Sequence, residues 1–408
     1  MKRSFLLVVV LLLTQLALAQ TSIPSDSHFV LSVWDNPTNI ATYMGPKGIT
    51  NSVLATSEGK FGFSGSPCIA FANDTFGFSN IIKYSTELDE TLKNEIMELA
   101  GDDGIKLKPM ANIGTAWQFG PVGLSARVLG DGEGYLSRDL LDLVLFGNEL
   151  NRTYNLNPNL RLALFVDTKA QIAVKIPFLA NLSGVENLTL GAAYHYIPAG
   201  VYLVGDTPIS YTAVYTETEA ENEIEVTGDL YLSKKVSGSS LDLGVLVKPT
   251  EKLYLALSVE GINGKVNWSE FYQIRGEDLL EAEIKTVKDL DALGSPVQGE
   301  ITQKLPFISK LGLRYDWKKW LTFFVEAKHT KLEDKSSFIN ATAGTDMVVL
   351  WVLPFKASVT YDSRFTHLGY NLGTGLKIFF FETTVEGYTR PTVYGDEVGI
   401  NVALRTSF

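Results

Sequence analysis

The chain has 408 residues, 45% of them hydrophobic, and a formal net charge of −11. An acidic balance without basic clusters excludes nucleic acid as the partner. The single cysteine, Cys68, excludes an internal disulfide and reads as a small buried apolar residue.

Taken in chain order, Lys2 and Arg3 precede an apolar run from Phe5 to Leu13 and an Ala17-Leu18-Ala19 exit before Gln20. That is the layout of a cleaved signal peptide, residues 1–19, which implies export through the Sec pathway. Its loss takes the charge from −11 to −13, because Lys2 and Arg3 leave with it. No later segment is long enough for a helical span: the most apolar run, Met347 to Phe355, contains Pro354 and falls short of the roughly 20 residues a helix needs. Residues 20–58 read as an N-terminal segment, a candidate lumen plug, and 59–408 as the main domain.

Two segments have helical character. Thr86 to Ala100 opens on Thr86 and Asp89 as a capping box, places Leu88, Leu92, Ile96 and Leu99 on one stripe, and stops at Gly101. Ser137 to Phe146 has a serine cap, an apolar run and Gly147 as its stop. Neither spans lipid; each is expected at a rim or in a mouth. His195, between Tyr194 and Tyr196, reads as a lumen or rim histidine. The glutamates at 217, 219, 221, 223 and 225 share one face of a strand. They suit either divalent cations or a solvated hairpin, and the hairpin is the reading taken. Glu277 to Leu293 reads as a lid-like helix or a hairpin tip.

The remaining pattern is strand alternation. Leu241, Leu243, Val245 and Val247 alternate with Asp242, Gly244 and Leu246; Leu253, Leu255, Leu257 and Val259 alternate with Tyr254, Ala256, Ser258 and Glu260. Leu311, Leu313, Tyr315 and Trp317 oppose Gly312, Arg314, Asp316 and Lys318. Leu321, Phe323, Val325 and Ala327 oppose Thr322, Phe324, Glu326 and Lys328. Tyr370, Leu372, Thr374, Leu376 and Ile378 oppose Asn371, Gly373, Gly375 and Lys377. The chain ends on another such strand, VGINVALRTSF, whose terminal Phe408 reads as an outer-membrane assembly signal.

Tight connections at 120–121, 248–251, 316–319 and 380–381 alternate with long ones at 217–225, 275–296, 331–344 and 390–397. Short turns on one rim and long loops on the other, with aromatics at strand ends (Trp317, Trp320, Trp351, Tyr361, Tyr370, Tyr388, Tyr394), are the outer-membrane arrangement. The predicted fold is all-β: a single transmembrane antiparallel barrel of about 14 strands, range roughly 12–16, with two short non-spanning helices. Its expected partners are outer-membrane lipid and the barrel assembly machinery, with a surface-layer or periplasmic protein as a further candidate.

Residues 76–107 and 131–150, with GAAYHYIPAGVY (191–202) and GINGKVNW (261–268), resemble a family of outer-membrane barrels of unknown function. That family is similar in build to the long-chain fatty-acid transporter barrels. Asn36-Pro37-Thr38 is similar to the Asn-Pro-Ala motif of the transporter group, from which Thr38 departs. The resemblance implies the fold and transfers no ligand-binding residue.

No enzyme motif accompanies the four histidines, and no cofactor or metal is implied. The charges fall on the face opposite the apolar one: Arg314, Asp316, Glu326, Lys328, Lys377, Glu382, Glu386 and Arg405 are the lumen candidates. Apolar inward candidates are few, namely Phe165, Leu246 and Phe324. Opposed basic and acidic walls predict a passive channel or transporter for small polar or amphipathic solutes. The alternative is a plugged structural or anchoring barrel whose extracellular loops bind a surface layer or partner protein.

Overall fold

The computed structural model describes residues 61–73 and 89–407, apart from short stretches at 103, 120–121, 148, 150, 157–158, 183, 207–208, 216–219, 282–293, 319, 332–336, 367, 379–380 and 393–394. The signal peptide, the 20–58 segment, Thr86, Leu88 and Phe408 lie outside the described residues.

The strands are β1 (Phe61–Asn73), β2 (Ile105–Phe119), β3 (Val122–Leu136), β4 (Thr153–Asn155), β5 (Asn159–Lys175), β6 (Asn187–Asp206), β7 (Ile209–Tyr215), β8 (Ala220–Val226), β9 (Asp229–Thr250), β10 (Leu253–Arg275), β11 (Ser295–Lys304), β12 (Phe307–Lys318), β13 (Leu321–Lys331), β14 (Ser337–Val349), β15 (Leu353–Asp362), β16 (Leu368–Ile378), β17 (Phe381–Thr392) and β18 (Gly395–Ser407). The helices are α1 (Glu90–Ala100), α2 (Arg138–Phe146), α3 (Pro177–Leu182) and α4 (Gly276–Glu281). No helix among the described residues is long and apolar enough to cross a membrane.

Every pairing is antiparallel, and the main sheet has fifteen strands. Of these, β11 pairs only with the upper half of β10, and the lower half of β10 pairs with β12. The other fourteen run from β10 through β12–β18, β1–β3, β5, β6 and β9, and β9 pairs back to β10. The sheet is therefore a closed ring. Closure leaves no backbone edge, which hydrocarbon demands of any sheet that crosses it.

Burial follows the predicted alternation. Leu243, Leu257, Leu311, Leu313, Val325, Leu372, Leu376 and Ile400 are exposed on the outside. Their strand neighbours Asp242, Ser258, Lys310, Arg314, Glu326 and Asn371 are buried inside. A soluble barrel would show the opposite polarity. The short-turn rim carries exposed Trp317, Trp320, Leu350 and Trp351, and the opposite rim carries Tyr361 and Tyr370, as interfacial girdles require. Tyr388 departs from the expectation: it is buried, on the inward face that it shares with Glu386. Tyr394 lies outside the described residues.

The ring is uneven in height. β6, β9 and β10 have 20, 22 and 23 residues, whereas β13, β15, β16 and β17 have 11, 10, 11 and 12. A tilted strand crosses hydrocarbon in roughly 9–11 residues, so the short wall just spans the membrane and the tall wall stands well above it. Two expected loops are correspondingly shorter. Residues 337–344 belong to β14, and the 390–397 connection narrows to a turn between Thr392 and Gly395. Polar residues that face a lumen had read as loop.

The long-loop rim carries a small satellite structure. Asp89, rather than Thr86, caps α1, accepting from Leu92 N at 2.8 Å. Ser137 caps α2 as expected, accepting from Leu140 N at 3.2 Å. The helices pack on each other through Met97, Ala100 and Leu141. Through Leu140 and Leu143, α2 also packs on Tyr154 and Leu156, at and beside β4. Strands β4, β7 and β8 form a separate three-stranded sheet. Of the glutamate run, Glu221, Glu223 and Glu225 fall on β8, where Glu225 is exposed; Glu217 and Glu219 lie outside the described residues. Of the Glu277–Leu293 stretch, residues up to Glu281 lie in α4.

Candidate functional site

The site is the interior of the tall wall, and it has two storeys. The lower storey is charged. Arg127 on β3 and Asp167 on β5 are direct cross-strand partners, with Nε to Oδ2 at 2.8 Å. His195 on β6 lies between two carboxylates, with Nδ1 at 2.9 Å from Asp167 Oδ2 and Nε2 at 2.7 Å from Asp242 Oδ2. An ionised carboxylate only accepts, so a ring nitrogen that meets one does so as the donor. Lys169 Nζ stands 3.8 Å from the same Asp242 oxygen. One rung away, Lys310 Nζ is 3.3 Å from Glu260 Oε2, and Ser258 Oγ donates to Glu260 Oε1 at 3.1 Å. All of these side chains are buried or nearly so. Charges withdrawn from water persist only when paired in this way.

This charged layer is tied to a break in the wall. Gly261 has φ +71°, and the backbone N–H of Gly261 donates to Asp242 Oδ1 at 3.0 Å. The register between β9 and β10 shifts on either side of Ile262, and Asn263 also has positive φ. Opposite, Leu305-Pro306 separates β11 from β12, and a Cβ on Gly261 would stand 2.1 Å from the Pro306 carbonyl oxygen. Only glycine fits here. Proline, which cannot donate to a ladder, takes the gap where none is needed.

Above the break the strands reverse their polarity. Below it β10 shows Leu255, Leu257 and Val259 to the outside and Ser258 and Glu260 to the inside. Above it Lys265, Asn267 and Ser269 face out, while Val266, Trp268 and Phe271 are buried inside. β9 does the same, with Leu241 and Leu243 giving way to Ser237 and Ser239 on its outer face.

The inward residues make the upper storey: Ala163, Ile197, Tyr202, Val236, Val266, Trp268 and Phe271, flanked by Phe165, Ile301 and Leu305. Trp268 is its centre. The Tyr202 ring lies 5.3 Å away and tilted, the Phe165 ring 6.4 Å away edge-on, and the indole N–H donates to Gln303 Oε1 at 3.0 Å. Gly200 makes the close approach possible, because a Cβ there would meet the indole at 3.0 Å and the Leu164 carbonyl oxygen at 2.6 Å. Phe165 and Ile197 continue the inward faces of Asp167 and His195. The aromatic storey therefore sits directly on the charged one.

The residues expected in the lumen distribute as follows. Arg314 is buried and donates through Nε to Asp316 Oδ1 at 2.7 Å; Thr322 Oγ1 donates to the same oxygen at 2.9 Å. Glu326 and Lys328 are buried on the inward face of β13. Lys377 Nζ is 4.0 Å from Glu382 Oε2. Glu386 pairs with Lys356, which reaches it across β16. Arg405 pairs in register with Glu382 on β17. Arg314 with Asp316, Lys377 with Glu382 and Lys356 with Glu386 thus stand as acid–base pairs in the lumen.

Sequence reasoning missed the upper storey almost entirely; of its residues only Phe165 was an inward candidate. The usable signal was GINGKVNW itself, two glycines around an Asn followed by an alternation of the opposite sense.

No family model matches the sequence, and no curated protein matches it. Solved structures do resemble the fold. The toluene transporter TbuX of Ralstonia pickettii superposes with TM-score 0.52 at 11% identity, over 96% of this chain and 97% of that one. A deletion mutant of the monoaromatic hydrocarbon channel TodX gives TM-score 0.50 at 10% identity, over 96% of this chain and 95% of that one. The chain has the fold of these outer-membrane barrels over nearly its whole length.

Proposed function

We propose that the protein is a passive outer-membrane channel for small amphipathic solutes, reached by Sec-dependent export. The observation that carries this reading is the two-storey interior: a packed aromatic cluster at the long-loop end, resting on a layer of paired charges. An apolar ring or short chain gains by leaving water for the partly exposed edge of that cluster at Phe165. A polar head gains hydrogen bonds from the charged layer below. Strictly hydrophilic solutes meet the apolar storey first, which argues against a general porin. That the barrels sharing this fold are a toluene transporter and a monoaromatic hydrocarbon channel supports the same reading.

Proteoliposomes holding the purified barrel should take up a small aromatic alcohol faster than a sugar of similar size, and Trp268→Ala should erase that preference. Equal uptake of both solutes would mark a general porin, and uptake of neither would retire the channel reading in favour of a plugged anchoring barrel. Phe408 is proposed as the assembly signal; its deletion should leave the protein in the periplasm, and a normal yield of folded barrel would count against this.

A further inference from the structure

The turn between β14 and β15 breaks two rules at once. Val352 N–H closes it on the Val349 carbonyl at 3.2 Å, and Leu350 and Trp351 between them have φ of +51° and +67°. Two-residue hairpin turns of this hand favour Asn-Gly, because a side chain at positive φ crowds its own backbone. Among the described residues, the other non-glycine positions with positive φ are Asn151, Asn263 and Glu270, single and polar. Here two bulky apolar residues occupy consecutive ones. Leu350 and Trp351 are also the most exposed large apolar side chains of the described residues, at 75% and 80%. In water such a turn would carry strain and bare apolar surface together.

Its position supplies the missing partner. β15 has 10 residues, and a tilted strand crosses hydrocarbon in roughly 9–11. The tip therefore falls immediately below the belt, on the short-turn rim that faces the periplasm. It is tied to both neighbouring turns: Val348 N–H donates to the Trp320 carbonyl at 2.9 Å, and Lys377 N–H to the Val352 carbonyl at 2.8 Å. Those neighbours present exposed Trp317 and Trp320 on one side and Ile378 and Phe381 on the other. The apolar tip is thus continuous with the lipid-facing surface. An indole, apolar with one N–H donor, suits the layer where acyl chains meet head groups. We propose that Leu350-Trp351 is a foot seated in phospholipid of the periplasm-facing leaflet, where burial in lipid offsets the strain of the turn.

The test uses the intact barrel folded into phosphatidylcholine vesicles, with the Trp351 emission taken as the difference between wild type and Trp351→Phe. Lipid brominated near the head group should quench that emission more strongly than lipid brominated at the chain ends, and acrylamide in the water should quench it least. Leu350→Ser keeps the turn and removes an apolar contact, so it should lower the urea midpoint in vesicles. Glu251→Gln, on the exposed β9–β10 turn of the same rim, should leave the midpoint unchanged. Gel mobility of unheated samples confirms that each variant is folded, and Leu350→Ser carries the test alone if Trp351→Phe folds poorly. Strongest quenching by acrylamide would overturn the proposal and leave a periplasmic protein as the occupant. Strongest quenching by chain-end bromine, or an unchanged midpoint in Leu350→Ser, would overturn it as well.

Discussion

The short wall, β13 to β17, and the tall wall, β5, β6, β9 and β10, obey the same alternation and use it in opposite senses. On the short wall the outward positions are mostly apolar through the belt, as Phe323, Val325, Phe355, Leu372 and Leu376 show, and the interior is mostly polar. On β5 and β6 of the tall wall the outer face stays apolar, with Leu162 and Leu203 buried beside Leu232 and Ile274, whereas on β10 the arrangement holds only up to Gly261. Beyond it the outside is Lys265, Asn267 and Ser269, and the inside is aromatic. One sheet thus behaves as a membrane protein below and as a soluble one above. The comparison teaches that side-chain parity records which solvent lies on each side, and that the solvent can change part-way along a strand.

The comparison can be broken most forcefully at the aromatic storey. Trp268→Ala removes a wholly buried side chain and should cost about 3–5 kcal/mol, whereas Phe323→Ala, on the lipid face of the short wall, should cost far less. Heat-dependent gel mobility of the two variants reads the difference, and equal losses would deny the tall wall its own core. Next comes charge on the outer surface. Val325→Arg places a cation in the hydrocarbon belt and should cost about 2–4 kcal/mol; Asn267→Arg, on the outer face of the tall wall above the break, should be nearly neutral. Equal sensitivity in urea unfolding would show that lipid reaches both. The break supplies the third contrast. Gly261→Ala forces a side chain into a positive-φ position against the Pro306 carbonyl and should cost about 1–3 kcal/mol, while Gly387→Ala, with open space around the added carbon, should be tolerated. The smallest effect is expected at Thr322→Val. It deletes one hydrogen bond to Asp316, worth about 0.5–1.5 kcal/mol, and loosens the lower lumen while leaving the upper storey intact.

The parity of the short wall was legible because each strand there keeps one solvent per face through the belt: Glu326 between Val325 and Ala327 leaves no ambiguity once the outside is lipid. The strand number followed from length, about 350 residues at roughly 10 per strand plus connections. The upper tall wall was not legible, because an alternation such as Val266-Asn267-Trp268 states that two faces differ and does not say which faces water. The break at Gly261-Ile262-Asn263-Gly264 leaves the parity unchanged, with Glu260 and Val266 both inward, so the exchange of polar for apolar residues across it is the sign that the surroundings have changed. The charged layer was half visible. Asp242, Glu260 and His195 were each placed toward the interior, but their meeting depends on β6 lying between β5 and β9. That adjacency comes from the excursion of β7 and β8 out of the ring, which residue spacing does not announce.

One joint in the ring has a consequence for how the molecule comes to exist. Gly62 on β1 pairs with Ser407 on β18, so the seam unites the two ends of the described chain. β16 and β17, by contrast, meet across a turn of two residues at 379–380. Loop-closure entropy grows by roughly 0.6 kcal/mol for each doubling of the loop, which makes the seam, of all the ring's joints, the most expensive to form early. Until it forms, β1 and β18 each present a row of unfilled backbone donors and acceptors, an open template for any passing strand. The barrel is therefore most vulnerable to misassembly in the interval before its last strand is delivered. A catalyst of its assembly would act by holding that final edge until β1 is in reach.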